Sequence, residues 1–201
     1  MKKNGFVILL IVSVSFNFFA QAVSTSGETN ESPKSLIKTE LGINIGVSTL
    51  DKKAAFGSEL TYGFKYKKHF FGMNYSYFEN SFIKEKTTDC ALNYMNLGYL
   101  QKYALFQKDK KEFSLLAGVS YAEFGVKDLN TVSFFHMGNM FFTDKYISLT
   151  PGLCYSYGIL NLTAQYRFSI GLKTSNVSSS SMSDGVLAMI GFKFEIDTKN
   201  K

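Results

Sequence analysis

The stretch LNLTAQYRFSIGLK, from Leu160 to Lys173, decides the fold class. Its even positions are all apolar, whereas its odd positions, beginning with Asn161, are polar or glycine. Successive side chains of an extended chain point to opposite faces, so the alternation predicts a strand with one apolar and one polar face. An ordinary globular strand has about 5–6 residues and a tilted strand that crosses a bilayer about 9–11. The length therefore favours an apolar face that meets lipid.

The N-terminal segment has the features of a secretory signal peptide. Lys2 and Lys3 precede a long apolar run, which ends in the small-x-small sequence Ala20-Gln21-Ala22. We expect cleavage after Ala22, because the apolar run is shorter than the ~20 residues of a spanning helix, the alternative interpretation. The polar residues 23–36 then form a disordered lead-in.

Composition indicates one domain and excludes several function classes. The chain has 201 residues, 45% hydrophobic and 16% aromatic, and its net charge of +6 is carried by lysines, since Arg167 is the only arginine. The lysines lie mainly in predicted turns and loops, without a nucleic-acid motif, which favours solvated groups near lipid phosphates over nucleic-acid binding. Cys90 and Cys154 are predicted at opposite strand ends, too far apart for a disulfide. No Cys/His cluster suggests a metal, and no cofactor is expected.

Seven other segments repeat the alternation of Leu160–Lys173. Alternation is poorest in the fourth, where Met95, Leu97 and Tyr99 are placed outward. The predicted strands outside 160–173 cover approximately residues 37–48, 56–66, 71–77, 91–103, 113–122, 146–157 and 186–196.

The connections between these strands alternate between long and short. The long ones are residues 49–55, 79–89, about 124–145 and 174–184, and the short ones are 67–69, about 104–111 and 158–159. Outer-membrane barrels have this asymmetry, with short periplasmic turns and longer extracellular loops. Backbone groups in lipid must all be paired, so the eighth strand must close on the first.

These observations predict an all-β fold, an eight-stranded antiparallel up-and-down transmembrane β-barrel over residues 37–196, with a tail at 197–201. A ten-stranded barrel would result if residues 124–145 formed an extra hairpin. The other alternative is a soluble lipocalin-like barrel that binds a ligand, with the apolar faces turned inward. Polar faces rich in Gly, Ser and Asn favour the membrane barrel.

The chain resembles the small bacterial outer-membrane β-barrel proteins of the OmpX and OmpA-barrel type, and more loosely the outer membrane protein β-barrel domain family that includes PorT. LTAQYRFSIGL before a serine-rich loop and the closing IGFKFEI carry the resemblance. Gly191, Phe194 and Ile196 fit the C-terminal assembly signal of such families, which implies the barrel-assembly machinery as a partner. The chain departs from that signal by continuing to Lys201. The resemblance also implies location in the cell outer membrane, with lipid and lipopolysaccharide as partners.

Charged residues on the polar faces are the candidate lumen network. An eight-stranded barrel has an interior that side chains just fill, so charges of both signs are expected to pair there and no water channel is expected. The network comprises Lys38, Glu40, Glu59, Lys65, Arg167, Lys193 and Glu195.

Catalysis is not expected. Some barrels of this kind are lipid A deacylases or palmitoyltransferases that use His with Ser and an acid. Here His69 lies in a short turn, and His136 is followed by Met137-Gly138 without the His-x-Ser spacing.

The third long connection contains a strongly apolar segment, Phe134 to Phe142. A large exposed apolar patch marks an interaction site. Phe134, Phe135, His136, Phe141 and Phe142 are therefore a possible surface-contact loop, although extension of strands five and six is favoured. The expected function is a non-enzymatic structural or surface-interaction role with an unknown extracellular partner, and the alternative is a small transporter, pore or secretion accessory.

Overall fold

A computed structural model describes residues 37–50, 53–80, 90–128, 140–173 and 184–197. Side chains are described for these residues except 90, 91, 126–128, 140–143, 173 and 197. Within these segments, no helix is long and apolar enough to cross a membrane. The signal peptide, the lead-in and most of the C-terminal tail lie outside the described residues. The strands are β1 (Ile37–Leu50), β2 (Lys53–Tyr66), β3 (His69–Glu79), β4 (Cys90–Lys108), β5 (Lys111–Asp128), β6 (Met140–Tyr157), β7 (Leu160–Lys173) and β8 (Gly185–Asp197).

The eight strands form one closed antiparallel barrel, in which each strand pairs with its sequence neighbours and β8 pairs with β1. The closing ladder is continuous from Lys38, opposite Asp197, to Ser48, opposite Leu187. The predicted all-β, eight-stranded up-and-down barrel is confirmed. Because β5 pairs directly with β6, the ten-stranded alternative is wrong.

The two ends of the barrel differ in their connections. The turn end has the two-residue turns 67–68, 109–110 and 158–159, together with the start of β1 and the end of β8. Positive φ angles occur in these turns, at Lys67, Asp109 and Gly158. The link end has the connections 51–52, 80–89, 129–139 and 174–184. The predicted seven-residue loop at 49–55 is wrong, because the β1–β2 ladder continues to Leu50 opposite Lys53.

The third connection is also shorter than predicted. β5 continues to Asp128 and β6 begins at Met140, which leaves residues 129–139 between them. The backbones of Phe141 and Phe142 pair with Val126 and Gly125, past a register shift between Phe124 and Gly125. These two phenylalanines therefore extend a strand, as favoured from the sequence. Phe134, Phe135 and His136 lie outside the described residues.

The apolar side chains of the alternating strands point out of the barrel. Ile45, Ile190 and Leu162 are 63%, 53% and 48% exposed, whereas Asn44, Asn161 and Arg167 are buried inside. Met95, Leu97 and Tyr99 lie on the outward face of β4, as predicted. The inside-out arrangement of a soluble lipocalin-like barrel is therefore wrong for this chain.

Glycines on the inner face allow bulky neighbours to fill the barrel. Gly63 of β2 lies opposite Gly72 of β3. A Cβ on Gly63 would lie 2.2 Å from the carbonyl oxygen of Phe71 and 2.4 Å from the Cα of Gly72. A Cβ on Gly72 would lie 2.6 Å from Cζ of the buried Phe70 ring. Glycine at position 72 therefore leaves room inside the barrel for the Phe70 ring of the same strand.

Substitution of Gly63 by valine tests this packing. Because the new side chain meets backbone atoms, Gly63→Val should lower the free energy of unfolding by about 1–3 kcal/mol. Urea unfolding of the barrel refolded in lipid vesicles measures the change. Ser58→Val is the matched control, since Ser58 is exposed on the outward face of the same strand. Equal stability of the two variants would contradict the inward packing.

Candidate functional site

Most of the buried polar side chains described lie in the lumen, where they form layers along the barrel axis. Most of the paired charged residues lie toward the turn end. The middle is filled by amides and hydroxyls. Buried apolar residues lie in two clusters. The cluster nearer the turn end comprises Phe70, Leu100, Leu116 and Cys154. The cluster nearer the link end comprises Leu50, Ala55, Phe78, Tyr94, Ala122, Phe124, Tyr146, Leu187 and Met189.

Three lysines share two glutamates at the turn end. The Lys65 Nζ contacts Glu112 and lies 3.0 Å from Glu195. Lys193 lies 3.2 Å from Glu195 and 3.7 Å from Glu112. Lys38, whose side chain is half-exposed, lies 3.5 Å from Glu195. This charge cage satisfies the requirement that charges removed from water be paired.

A cavity of about 350 Å³ lies beside the charge cage at the turn end. Its lining includes Lys38, Lys193, Glu112 and Glu195, together with Lys110 and Lys111. The cage therefore borders a space at the mouth of the barrel, whereas Lys65 lies outside that lining and is 5% exposed.

Glu40 and Lys102 form a second ion pair deeper in the lumen. Glu40 is 1% exposed and Lys102 is 5% exposed. The Lys102 ammonium also lies 4.1 Å from the centroid of the Phe70 ring, a cation–π contact. β1 and β4 are not neighbours in the sheet, so this pair joins opposite walls of the barrel.

Glu59 lies in the middle layer and is held by neutral amides. Asn44 donates to Oε1 at 3.4 Å and Asn74 donates to Oε2 at 3.3 Å. Asn161 donates to the Asn44 oxygen at 3.1 Å and accepts from Ser156 at 3.0 Å. The chain of donors from Ser156 to Glu59 points toward the carboxylate, so each bond polarises the next in the same sense.

Arg167 lies near the link end and is completely buried. Its guanidinium carbon is 3.9 Å from the centroid of the Tyr94 ring, and one terminal nitrogen donates to the Thr49 carbonyl oxygen at 2.9 Å. The Tyr94 hydroxyl in turn donates to Ser148 at 3.1 Å and accepts from Asn96 at 3.2 Å. Arg167 of β7 thus contacts both β4 and β1, next to the apolar cluster to which Tyr94 belongs.

The seven residues of the sequence-derived lumen network all lie on inward positions, at four separate sites. Lys38, Lys65, Lys193 and Glu195 meet in the charge cage, Glu40 pairs with Lys102, and Glu59 and Arg167 each have their own surroundings.

Sequence reasoning missed Lys102, Glu112 and the buried Asp144, which accepts from the Tyr146 hydroxyl at 3.4 Å. The sequence does indicate an inward position for Lys102. Met95, Leu97 and Tyr99 face outward, and because side chains alternate along a strand, the even-numbered residues of β4 face inward.

The other singled-out residues lie apart from the lumen charges. Gly191 faces inward, where a Cβ would lie 2.0 Å from the Ile43 carbonyl oxygen, while Phe194 and Ile196 are exposed on the outside. Cys154 is a buried free thiol that contacts Asn161 at 3.0 Å. Cys90 begins β4 at the link end, and its side chain is not described.

The described part of the chain forms no metal-binding cluster. No group of three or more His, Cys, Asp or Glu side chains there is arranged to hold a metal. His69 packs at the turn end between Phe71 and Tyr103, with ring centroids 5.8 Å and 4.9 Å away. His136 lies outside the described residues.

Comparison with solved structures finds other small barrels. Neisserial surface protein A is 16% identical, with 81% of this chain and 97% of that chain covered and a TM-score of 0.49. The Yersinia pestis outer membrane protein Ail in a phospholipid nanodisc is 15% identical, with 79% and 99% covered and a TM-score of 0.48. The outer membrane enzyme PagL is 12% identical, with 78% and 98% covered and a TM-score of 0.38.

No protein-family model matches the chain. No curated protein matches it either. At these identities and TM-scores the solved structures assign no function to the chain.

The Glu40–Lys102 pair offers a direct test of the lumen geometry. Glu40→Leu leaves the buried Lys102 without its carboxylate and should lower the free energy of unfolding by about 3–5 kcal/mol. The double variant Glu40→Leu/Lys102→Met removes both charges and should recover most of that loss, since paired charges are often replaceable by apolar residues. Urea unfolding in lipid vesicles measures both. A double variant no more stable than Glu40→Leu would contradict the pairing.

Proposed function

We propose that the chain is an integral outer-membrane β-barrel with a non-enzymatic, structural or surface-interaction role and a lumen closed by its own side chains. The observation that carries the proposal is the continuous apolar exterior of a closed sheet. Such an exterior is unfavourable in water, whereas in lipid it is matched by acyl chains and closure pairs every strand edge. The turn end then faces the periplasm, because short periplasmic turns are typical of such barrels.

The interior supports a closed lumen. Arg167, Tyr94, Tyr146 and Phe78 are among the largest completely buried side chains, and they occupy the link-end half of the barrel. The charge cage and the Glu40–Lys102 pair occupy the other half. An ion that entered from either end would have to displace paired charges and then apolar rings, which favours a structural interior over a pore.

The surroundings of His69 support a role without catalysis. His69 packs against aromatic rings at the turn end. A nucleophile and its base must lie within hydrogen-bond reach. Among the described residues, the His69 Nδ1 has no hydrogen-bond partner. The links at the opposite end are longer than the turns, so we propose that contacts with other molecules are made there.

We also propose that Gly191, Phe194 and Ile196 act as the signal for the barrel-assembly machinery. Gly191 is required inside the closing ladder because of its close approach to the Ile43 carbonyl oxygen. The exposed Phe194 and Ile196 lie on the outward face of the last strand. Lipopolysaccharide is the proposed lipid partner at the link end.

Two isoleucines on the same face of β1 test the membrane placement. Ile43 lies in the middle of the strand and Ile37 at its turn-end start, and they are 46% and 49% exposed. An arginine on the lipid face costs about 2–4 kcal/mol at the bilayer midplane and about 0–1 near the interface. Ile43→Arg should therefore destabilise the barrel in vesicles much more than Ile37→Arg. Urea unfolding measures both, and equal small effects would favour a soluble barrel.

Planar-bilayer recording tests the closed lumen against the pore alternative. The purified full-length barrel should insert without producing discrete conductance steps, because its interior is occupied by side chains. Insertion is verified independently by protease protection of the reconstituted protein. Reproducible single-channel steps would overturn the closed lumen and favour the small pore.

A further inference from the structure

Five exposed lysines lie in and beside two successive turns of the turn end. Lys67 and Lys68 form the β2–β3 turn, while Lys108, Lys110 and Lys111 lie in and beside the β4–β5 turn. We call these five residues the lysine ridge. Asp109 is the one acid among them, so the ridge has a large excess of positive charge.

The ridge lysines are free to bind a ligand. All five are exposed, and within the described segments none of their ammonium groups pairs with a carboxylate. This separates them from Lys65 and Lys193 of the charge cage, which are buried and paired.

The backbone of the ridge is held in place by neighbouring strands. The Ala104 amide donates to the Lys68 carbonyl oxygen at 2.8 Å, which fixes the first turn against β4. The Gly158 amide donates to the Lys110 carbonyl oxygen at 2.8 Å, which fixes the second turn against the third. The lysines therefore project from a fixed support, and less entropy is lost when they bind.

The connections of the barrel differ in charge. The third turn, Gly158-Ile159, has no charge, and Tyr157, Ile159 and Leu160 around it are exposed apolar residues. In the sequence of the link-end connections, residues 51–52 and 80–89 contain equal numbers of acids and lysines, 129–139 contain none of either, and 174–184 contain one acid, Asp184. The ridge is thus a local feature and does not follow from the net charge of the chain.

Exposed apolar and aromatic side chains precede Lys108 of β4 on the outer wall. Tyr103, Leu105 and Phe106 are 38%, 48% and 50% exposed, and they precede Lys108 on β4. The Lys67 ammonium lies 5.5 Å from the centroid of the Tyr66 ring. Along β4, exposed apolar side chains are thus followed by lysines toward the turn end. This order matches the boundary between acyl chains and lipid phosphates.

We propose that the lysine ridge binds the phosphate groups of anionic phospholipids in the leaflet at the turn end, on the β2–β5 side of the barrel. This inference rests on the membrane placement proposed above. The ridge attracts lipids with a net negative headgroup over zwitterionic ones, because each lysine near an anionic membrane surface adds favourable electrostatic energy.

Tryptophan quenching by brominated lipids tests the proposal, because the chain has no tryptophan of its own. Phe106→Trp places a reporter beside the ridge, and Leu160→Trp places one beside the uncharged third turn. Each full-length variant is reconstituted in phosphatidylcholine vesicles that contain increasing fractions of dibrominated phosphatidylglycerol or dibrominated phosphatidylcholine. The ratio of the two apparent binding constants gives the preference at each site.

At Phe106→Trp we expect phosphatidylglycerol to be preferred by at least about threefold, and at Leu160→Trp we expect no preference. Adding Lys108→Gln/Lys110→Gln to Phe106→Trp should abolish the preference. Lys84→Gln/Lys86→Gln, a pair with the same spacing in the connection at the opposite end, should leave it unchanged.

Equal preference at the two reporters, or a preference that survives Lys108→Gln/Lys110→Gln, would overturn the ridge as a lipid site. Quenching of both reporters by dibrominated phosphatidylcholine verifies insertion independently. Absence of quenching by either lipid would instead overturn the membrane placement, and the ridge proposal with it.

Discussion

Closure of the sheet is the constraint on which the rest of the structure depends. A bilayer core offers no water to an unpaired amide or carbonyl group, so a spanning sheet has no free edge. In this chain the constraint is met by the β1–β8 ladder, which joins the first and last strands over eleven residue pairs from Lys38 to Ser48. Once the sheet is closed, every inward side chain faces a small interior and every outward one faces the surroundings. The alternation in the sequence then specifies which residues of each strand lie inside the barrel and which lie outside.

Closure also decides which distant residues meet inside. Lys65 contacts Glu112 and Glu195, which are 47 and 130 positions away in the chain, and Glu40 contacts Lys102, which is 62 positions away. Alternation within one strand assigns a residue to the inner face, which is why Glu40, Glu59 and Arg167 were placed in the lumen from sequence. The identity of each partner depends on strand register and tilt around the whole barrel. Glu112, the shared partner of Lys65 and Lys193, lies just before the predicted strand 113–122, so the alternation does not assign it to the inner face.

The strand ends that were predicted poorly have a common physical cause. Toward the link end the inner face becomes apolar, with Leu50, Ala55, Phe78, Tyr94 and Phe124 buried there. Both faces of a strand are then apolar or small, so the period-2 signal disappears even though the strand continues. For this reason the sequence predicts a loop over the start of β2, and the alternation of β4 is the poorest of the eight strands. In β7, where the inner face stays polar from Asn161 to Ser169, the sequence gives the strand almost to the residue.

The layered interior separates the two places where the chain can meet other molecules. With the closed lumen proposed above, paired charges at the turn end and apolar rings at the link end occupy the interior, and the groups available to a partner lie outside it. At the turn end the connections are two residues long and pinned by backbone hydrogen bonds, so they differ from one another in side chains and hardly in shape. The contrast between Lys67-Lys68 and Gly158-Ile159 is therefore one of charge. At the link end the connections differ in length as well as sequence, which gives a surface whose shape varies while the barrel beneath it stays unchanged.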